Sequence, residues 1–295
     1  MSYILFYVNA THNNNSLRIE SIIKDLVELS LIKCDPDNDN LNIHRLVQDE
    51  FNFQLSDSDR ESVFNSAALL LYEAFPKQIN GERFEDRLPI CGKYIQHVYC
   101  LIGNLNAVLN ADKQLKRPPS ITPCAEYVRL MTNAAWYCVE RQDHFKLESV
   151  LENAFQAINI NGMKDIDPLP WAHLCNSAGR LWGQRGYFER GERNFLACLE
   201  IRKEIFGRGD ENIAGLLSNL GNINLSMARY DTALDYQRQA LDWGVVDGRN
   251  ELSPRAQAII MINTARVLTD LGHTEEARNM FRMSDEITSN KQSSL

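Results

Sequence analysis

Four asparagines recur at almost even spacing: Asn133, Asn176, Asn219 and Asn263 are separated by 43, 43 and 44 residues. A side-chain amide carries two donors and an acceptor, so a row of amides along one surface suits the backbone of an extended peptide whatever its side chains. Asparagine is only a middling helix former, and its return inside helix-like stretches asks for a reason. The competing reason is internal: the amides bond backbone or neighbouring helices within the array. On the same stretches stand Arg129, Trp136, Arg180, Trp182, Asn222 and Arg266, which would set specificity in a groove. The three arginines among them fit an acidic or carboxylate-bearing partner.

Other groupings carry less chemistry. Asp35-x-Asp37-x-Asp39 imitates the start of a calcium loop, but Asn40 replaces the sixth-position Gly and Leu46 the twelfth-position Glu, so it reads as a turn. His97 and Cys100 lie three apart, with Cys91 two turns earlier and no second ligand pair in reach; they read as packing residues rather than zinc ligands. Arg208-Gly209-Asp210 falls in a link between helical stretches and reads as structural. No Ser/His/Asp or Cys/His arrangement has a recognisable spacing. The expectation is a binding protein, not an enzyme, with no cofactor and no metal.

The net charge of −8 divides as −4 in residues 1–123 and −4 in residues 124–295, so no basic pole exists to neutralise phosphates, and neither nucleic acid nor an anionic membrane is expected as partner. The seven cysteines are scattered singly without a CxxC pair, the usage of a reducing compartment. The apolar run Tyr3 to Val8 is too short for a secretory signal, and nothing later approaches a membrane span. The expected location is the cytoplasm, where the Asn9-Ala10-Thr11 sequon would stay unmodified.

These residues must be positioned by helices. About fourteen residues after each asparagine come a turn and a second amphipathic stretch, with inner residues Leu147, Gly191, Ala233 and Ala277. Seven positions further stand Ala154, Cys198, Ala240 and Ser284. Two features at one period predict a helical hairpin per repeat, with small residues at the crossing, aromatics such as Phe195, Tyr230, Tyr236 and Phe281 beside them, and Gly ending the first helix. A lone hairpin cannot cover its apolar face, so neighbours stack into a superhelix. Leu220-Gly221-x2-Asn224 with Tyr230 and Ala233 resembles the tetratricopeptide signature; Leu174 to Ile201 and Ala265 to Phe281 match it more loosely. The extra residues of this longer period fall in the links 159–170, 206–212 and 244–254. Longer repeats of this kind are similar to those of kinesin light chains. That resemblance implies peptide-backbone contacts for Asn133, Asn176, Asn219 and Asn263.

The front third differs. Ile19, Ile22, Ile23, Leu26 and Leu29 follow a helical period, capped by Asn15 or Ser16; Leu31 to Cys34 and Leu41 to Gln48 read as a β-hairpin. A helix opens at the capping box Ser58-x-x-Glu61 and ends at Pro76, burying Val63, Phe64, Ala67, Leu70, Leu71 and Phe75. The string Ser30-Leu31-Ile32 … Leu41-x-Ile43-His44-Arg45-Leu46-Val47-Gln48 resembles the wing that follows the nucleotide-binding domain of fungal NOD-like receptors. Ala68-Leu69-Leu70 … Ala74-Phe75-Pro76 and Cys91-x2-Tyr94-x2-His97-Val98-x-Cys100 resemble the bridge before their repeats. His44 and Arg45 read as structural wing residues, although the resemblance implies a contact of the histidine with a nucleotide-binding core. No G-x4-G-K-[ST] occurs, so a complete nucleotide-switched receptor is not expected. The expected fold is mainly α: a tetratricopeptide-like α-solenoid preceded by a small winged-helix-like α/β segment. Its divisions are 1–55 (partial winged helix), 56–123 (helical bridge), 124–289 (four repeats) and 290–295 (tail). The expected function is a protein- or peptide-binding module of an innate-immune or self/non-self signalling receptor or adaptor. A stand-alone scaffold or cargo adaptor is the alternative. A DNA-binding regulator comes third, since the helix Ile19–Leu29 is net acidic.

Overall fold

A computed structural model describes residues 32–35, 40–43, 50, 54–79 and 83–289. The helix expected at Ile19–Leu29, the residues His44 and Arg45, and the tail 290–295 lie outside the described residues. Strand β1 (Ile32–Asp35) pairs antiparallel with β2 (Asn40–Ile43), Ile32 opposite Ile43, which is the hairpin the sequence predicts. The described residues otherwise form mainly helices: α1 (Asp57–Ala74), α2 (Leu88–Gln114), α3 (Ala125–Glu140), α4 (His144–Asn161), α5 (Met163–Ile166), α6 (Pro168–Gln184), α7 (Phe188–Ile205), α8 (Glu211–Ser226), α9 (Tyr230–Trp243), α10 (Pro254–Asp270) and α11 (Thr274–Ser289). They fall into two compact units. One holds α1 to α3 and α4 from Ser149 onward; the other holds the first turn of α4 and everything from Lys164.

In the first unit α1 starts two residues before the expected capping box. Ser56 is the cap, its Oγ accepting from the Asp59 N–H at 3.2 Å, while Glu61 accepts from the Thr122 N–H at 2.8 Å. Long-range backbone contacts outbid the local box because residues 120–124 run beside α1 with no ladder partner of their own. Asn65 completes that pairing, donating to the Thr122 carbonyl and accepting from the Cys124 N–H. Along α2, Cys91, Ile95, Val98, Ile102, Leu105 and Leu109 form the buried stripe, which leaves His97 and Cys100 exposed rather than packed. Asp112 closes the segment after α2: buried, it accepts from Arg117 Nε at 2.5 Å and from the Ser120 N–H and hydroxyl at 2.8 and 2.9 Å. Burial alone would raise its carboxyl, but those donors outweigh burial and hold it below the usual range.

The second unit consists of hairpins α6–α7, α8–α9 and α10–α11, each packed on the next. Every first helix ends the same way. Gly186, Ala228 and Gly272 adopt left-handed φ of 80°, 56° and 80°. The N–H of the residue after each reaches back to Trp182, Asn224 or Leu268 at 2.8–2.9 Å. This is the Schellman closure, and Ala228 adopts it without the freedom of glycine. With Gln142 the left-handed positions stand 44, 42 and 44 apart. Leu147, Gly191, Ala233 and Ala277 keep that spacing and are all buried, as are Ala154, Cys198, Ala240 and Ser284.

The hairpins close over small residues. A methyl group on Gly191 would lie 3.0 Å from the Gly179 carbonyl oxygen and 3.1 Å from the Gly183 nitrogen, so α7 crosses α6 backbone to backbone. Phe195 lies over Gly179 in that hairpin, and Gln237 lies over Gly221 in the next. Glu148 and Glu192, at the same turn of successive second helices, each fasten the first helix of the next hairpin. Glu148 pairs with Arg185 at 2.8 Å, and Glu192 accepts from Asn224 and Arg229 at 2.8 and 3.1 Å. The links are more ordered than expected. Helix α4 continues through Asn161, and the stretch after α9 folds into a second hairpin. There β3 (Val245–Val246) pairs with β4 (Arg249–Asn250) across left-handed Asp247 and Gly248. Arg208 bonds the Asp242 carboxylate, and Asp210 caps the Ile213 N–H, so the Arg-Gly-Asp link is occupied structurally.

Replacing Gly191 by valine should destabilise the chain by about 1–3 kcal/mol through overpacking. Gly103 on α2 has open space where its Cβ would be, and Gly103→Ala should add roughly 0.5–1 kcal/mol of helix propensity. Urea denaturation followed by circular dichroism checks both signs.

Candidate functional site

On α6 and α8 a short row of side chains faces a common recess. Gly179, Arg180, Gly183 and Gln184 come from α6, and Asn219, Asn222, Ile223 and Ser226 from α8 at the i, i+3, i+4, i+7 spacing of one helix face. Phe188 and Phe195 of α7 form the apolar side. The recess is an open cleft of about 260 Å³. Its floor is the small-residue stretch of α6, where Phe195 packs over Gly179 and Ile223 closes on Gly183.

The cleft mixes polar side chains with a larger share of apolar surface, and it carries one charged lining residue, Arg180. Among the described residues the Asn219 side-chain amide, half-exposed at the cleft, makes no hydrogen bond within the chain. Asn222 is held loosely from behind by Gln237 Nε2 at 3.4 Å. Beneath them lies a buried network: the Ser218 hydroxyl donates to Gln237 Oε1 at 2.8 Å, Gln237 Nε2 donates to the Ser218 carbonyl at 3.0 Å, and Asn263 Nδ2 donates to the Ser218 hydroxyl at 3.0 Å. Fully bonded, such a network rigidifies the wall it supports.

Of the residues expected to form one groove, the structure brings Arg180, Asn219 and Asn222 together. Asn133 is buried in the first unit, its Oδ1 accepting from the Gln78 N–H at 2.7 Å and its Nδ2 donating to the Arg129 carbonyl at 2.8 Å. That amide has the internal role. Arg129 lies 3.7 Å from Glu126, and Trp136 is half-buried on α3. Asn263 bridges hairpins through Ser218, and Arg266 stands exposed on α10. Trp182 is covered: the Arg190 guanidinium lies 3.4 Å from its ring centroid and Tyr187 meets it edge-on at 5.7 Å. Asn176 is out of register. Asn133, Asn219 and Asn263 stand nine residues before their left-handed turn residue, whereas Asn176 stands ten before Gly186. One position is a 100° rotation about the helix axis, so Ser177 takes the equivalent place and Asn176 falls outside the cleft lining. The sequence pattern does not single out the other seven lining residues for the groove: Gly179, Gly183, Gln184, Phe188, Phe195, Ile223 and Ser226.

The described chain shows no reactive thiol at the site. Burial pushes Cys175 up to about 12 and raises Cys198, and Cys91 is likewise pushed up to about 11. No group of three or more His, Cys, Asp or Glu among the described residues could hold a metal ion. No described helix is long and apolar enough to cross a membrane. His173, three residues before Asn176, is pushed down to about 4 by burial and by the neighbouring Arg202 guanidinium, partly offset by Asp167. Arg202 donates to His173 Nδ1 at 3.2 Å, which requires the neutral ring with its proton on Nε2.

Fold and cleft together define the class: a mainly α protein of tetratricopeptide-type helical-hairpin repeats. Residues 213–242 match the tetratricopeptide repeat family model. A search of curated proteins finds no match. Among solved structures the chain is similar to BtubC (BKLC) from P. vanneervenii, at 16% identity over 84% of this chain and 93% of that one, with a TM-score of 0.55. It is similar to the putative kinesin light chain of Podosopora anserina, with nearly identical TPR-like repeats, at 12% identity over 72% of this chain and 97% of that one, TM-score 0.51. These likenesses are of fold. Repeats of this type are generally protein-interaction modules and typically non-catalytic.

Because folded His173 resists protonation, the unfolded chain takes up its proton first as pH falls. Stability is therefore complete above about pH 6.5 and declines toward pH 4, by up to about 3 kcal/mol. His173→Gln keeps an acceptor for Arg202 and should flatten that decline, read as the change in urea midpoint between pH 7.5 and 4.5.

Proposed function

We propose that this chain binds an extended segment of another protein in the cleft of α6, α7 and α8. Asn219, Asn222, Gln184 and Ser226 supply the mixed donors and acceptors that a peptide backbone needs, and Phe188 accepts an apolar side chain. Arg180 takes a carboxylate from an acidic residue or a chain terminus. The observation that carries the reading is the contrast among amides: Asn133 and Asn263 bond within the chain, while Asn219 faces the cleft with its amide available.

In this reading the chain works in the cytoplasm as the ligand-sensing part of a signalling receptor or adaptor of the NOD-like type, the four repeats of residues 124–289 reading the ligand. Residues 1–55 and 56–123 are the coupling wing and bridge. The support is the wing-like string around Leu41 to Gln48 and the β1–β2 hairpin that carries its first part. A constitutive scaffold or cargo adaptor would hold the same partners in resting and challenged cells, whereas the sensor gains them on challenge.

Peptides selected from a displayed random library against the intact chain test the cleft. Asn219→Ala and Arg180→Glu should each weaken a selected peptide at least tenfold in fluorescence anisotropy, and Asn219→Ala should leave the melting curve unchanged. Unaltered affinity in both variants would sink the assignment.

A further inference from the structure

The last hairpin follows the same register as the two before it, yet one of its faces is covered differently. Counted from the left-handed turn residue, Ser218 on α8 corresponds to Ile262 on α10. Ser218 is 3% exposed, with Asn263 of the following hairpin bonded to its hydroxyl, whereas Ile262 is 39% exposed. On the second helices Phe195 and Gln237 are 3% and 0% exposed, and their counterpart Phe281 is 40% exposed. Ile259, one turn before Ile262, is exposed as well. The face that α8–α9 bury at Ser218 and Gln237, with Asn263 of α10 bonded to Ser218, is thus apolar and open at Ile262 and Phe281 of α10–α11.

The residues bordering this face carry a charge pattern. Arg255, Ile259, Ile262 and Arg266 follow one another at i, i+4, i+7 and i+11, a single stripe along α10. Both arginines are exposed, and neither forms an ion pair among the described residues. They stand about 16 Å apart along the helix axis. A second copy of this chain is a poor occupant: a twofold pairing of the face sets arginine against arginine, whether the two α10 helices run parallel or antiparallel.

We propose that this face docks an amphipathic helix of a partner protein, seated on α10 and α11 as α10 is seated on α8 and α9. Its apolar stripe covers Ile259, Ile262 and Phe281, and two acidic residues eleven positions apart meet Arg255 and Arg266. The α8–α10 contact supplies the geometry, and the two cations supply the selectivity. This surface is separate from the cleft, and its occupation does not depend on Arg180 or Asn219.

The test uses two synthetic helical peptides of seventeen residues with the same leucine stripe, one with Glu at positions three and fourteen and one with Lys there. Each is titrated with the intact chain in fluorescence anisotropy. The Glu peptide should bind at least tenfold more tightly than the Lys peptide. Ile262→Asp, a change at an exposed position, should abolish binding. The pair Arg255→Glu and Arg266→Glu should reverse the preference, while Arg180→Glu leaves it unchanged. Equal binding of the two peptides, or no binding of either, overturns the proposal. So does a dimer in sedimentation that Ile262→Asp dissociates, since the occupant would then be a second copy.

Discussion

Where α7 crosses α6, Gly191 rests directly against the backbone of Gly179 and Gly183. No side chain separates the two backbones there, so the crossing fixes their distance, and the Phe195 ring packs against Gly179. The Schellman closure at Gly186 fixes their relative rotation by returning the chain at a set helix position. The next hairpin inherits both constraints, because Ile223 of α8 approaches the same crossing. The cleft borders this crossing: Phe195 and Ile223 cover the two glycines of α6, and Arg180, Gln184, Asn219 and Asn222 line the space beside them.

Polar side chains in the second unit divide according to what the crossing leaves them. Gln237 replaces the aromatic Phe195 over the equivalent glycine, and a buried amide needs partners. Ser218 provides them, and Asn263 Nδ2 donates to the same Ser218 hydroxyl, which ties α8–α9 to α10. Asn219, one position along from Ser218, is turned toward the cleft by the 100° step of the helix. Residue type alone therefore does not assign the amides; angular position and the identity of the residue across the hairpin do.

That distinction separates the features legible in the sequence from those that are not. The period of Leu147, Gly191, Ala233 and Ala277 is readable because helix crossings restrict both burial and size at one position, and the structure keeps that register. The asparagine period misleads at Asn176: nothing in a residue name marks a one-residue slip, and only the turn geometry exposes it. Trp182 reads as a groove residue because its partner Arg190 lies across the turn, beyond any local spacing rule. The β3–β4 hairpin has a signal that periodicity passes over, Asp247-Gly248 next to two valines. The capping box at Ser58 is overridden by a contact with Thr122 some sixty residues away, which local patterns do not contain. Arg180, Asn219 and Asn222 are legible because they lie on first helices beside the recurring amide. Gln184 and Ser226 complete the same rows at the next turn.

Binding of a protein ligand in the α6–α8 cleft is tested most directly by amide hydrogen exchange on the intact chain with and without a selected peptide. Slowed exchange is expected in residues 179–188 and 219–226, with α1 to α3 and α10–α11 unchanged. Protection confined to α1 to α3 or to α10–α11, with the cleft segments exchanging as in the free chain, would contradict it.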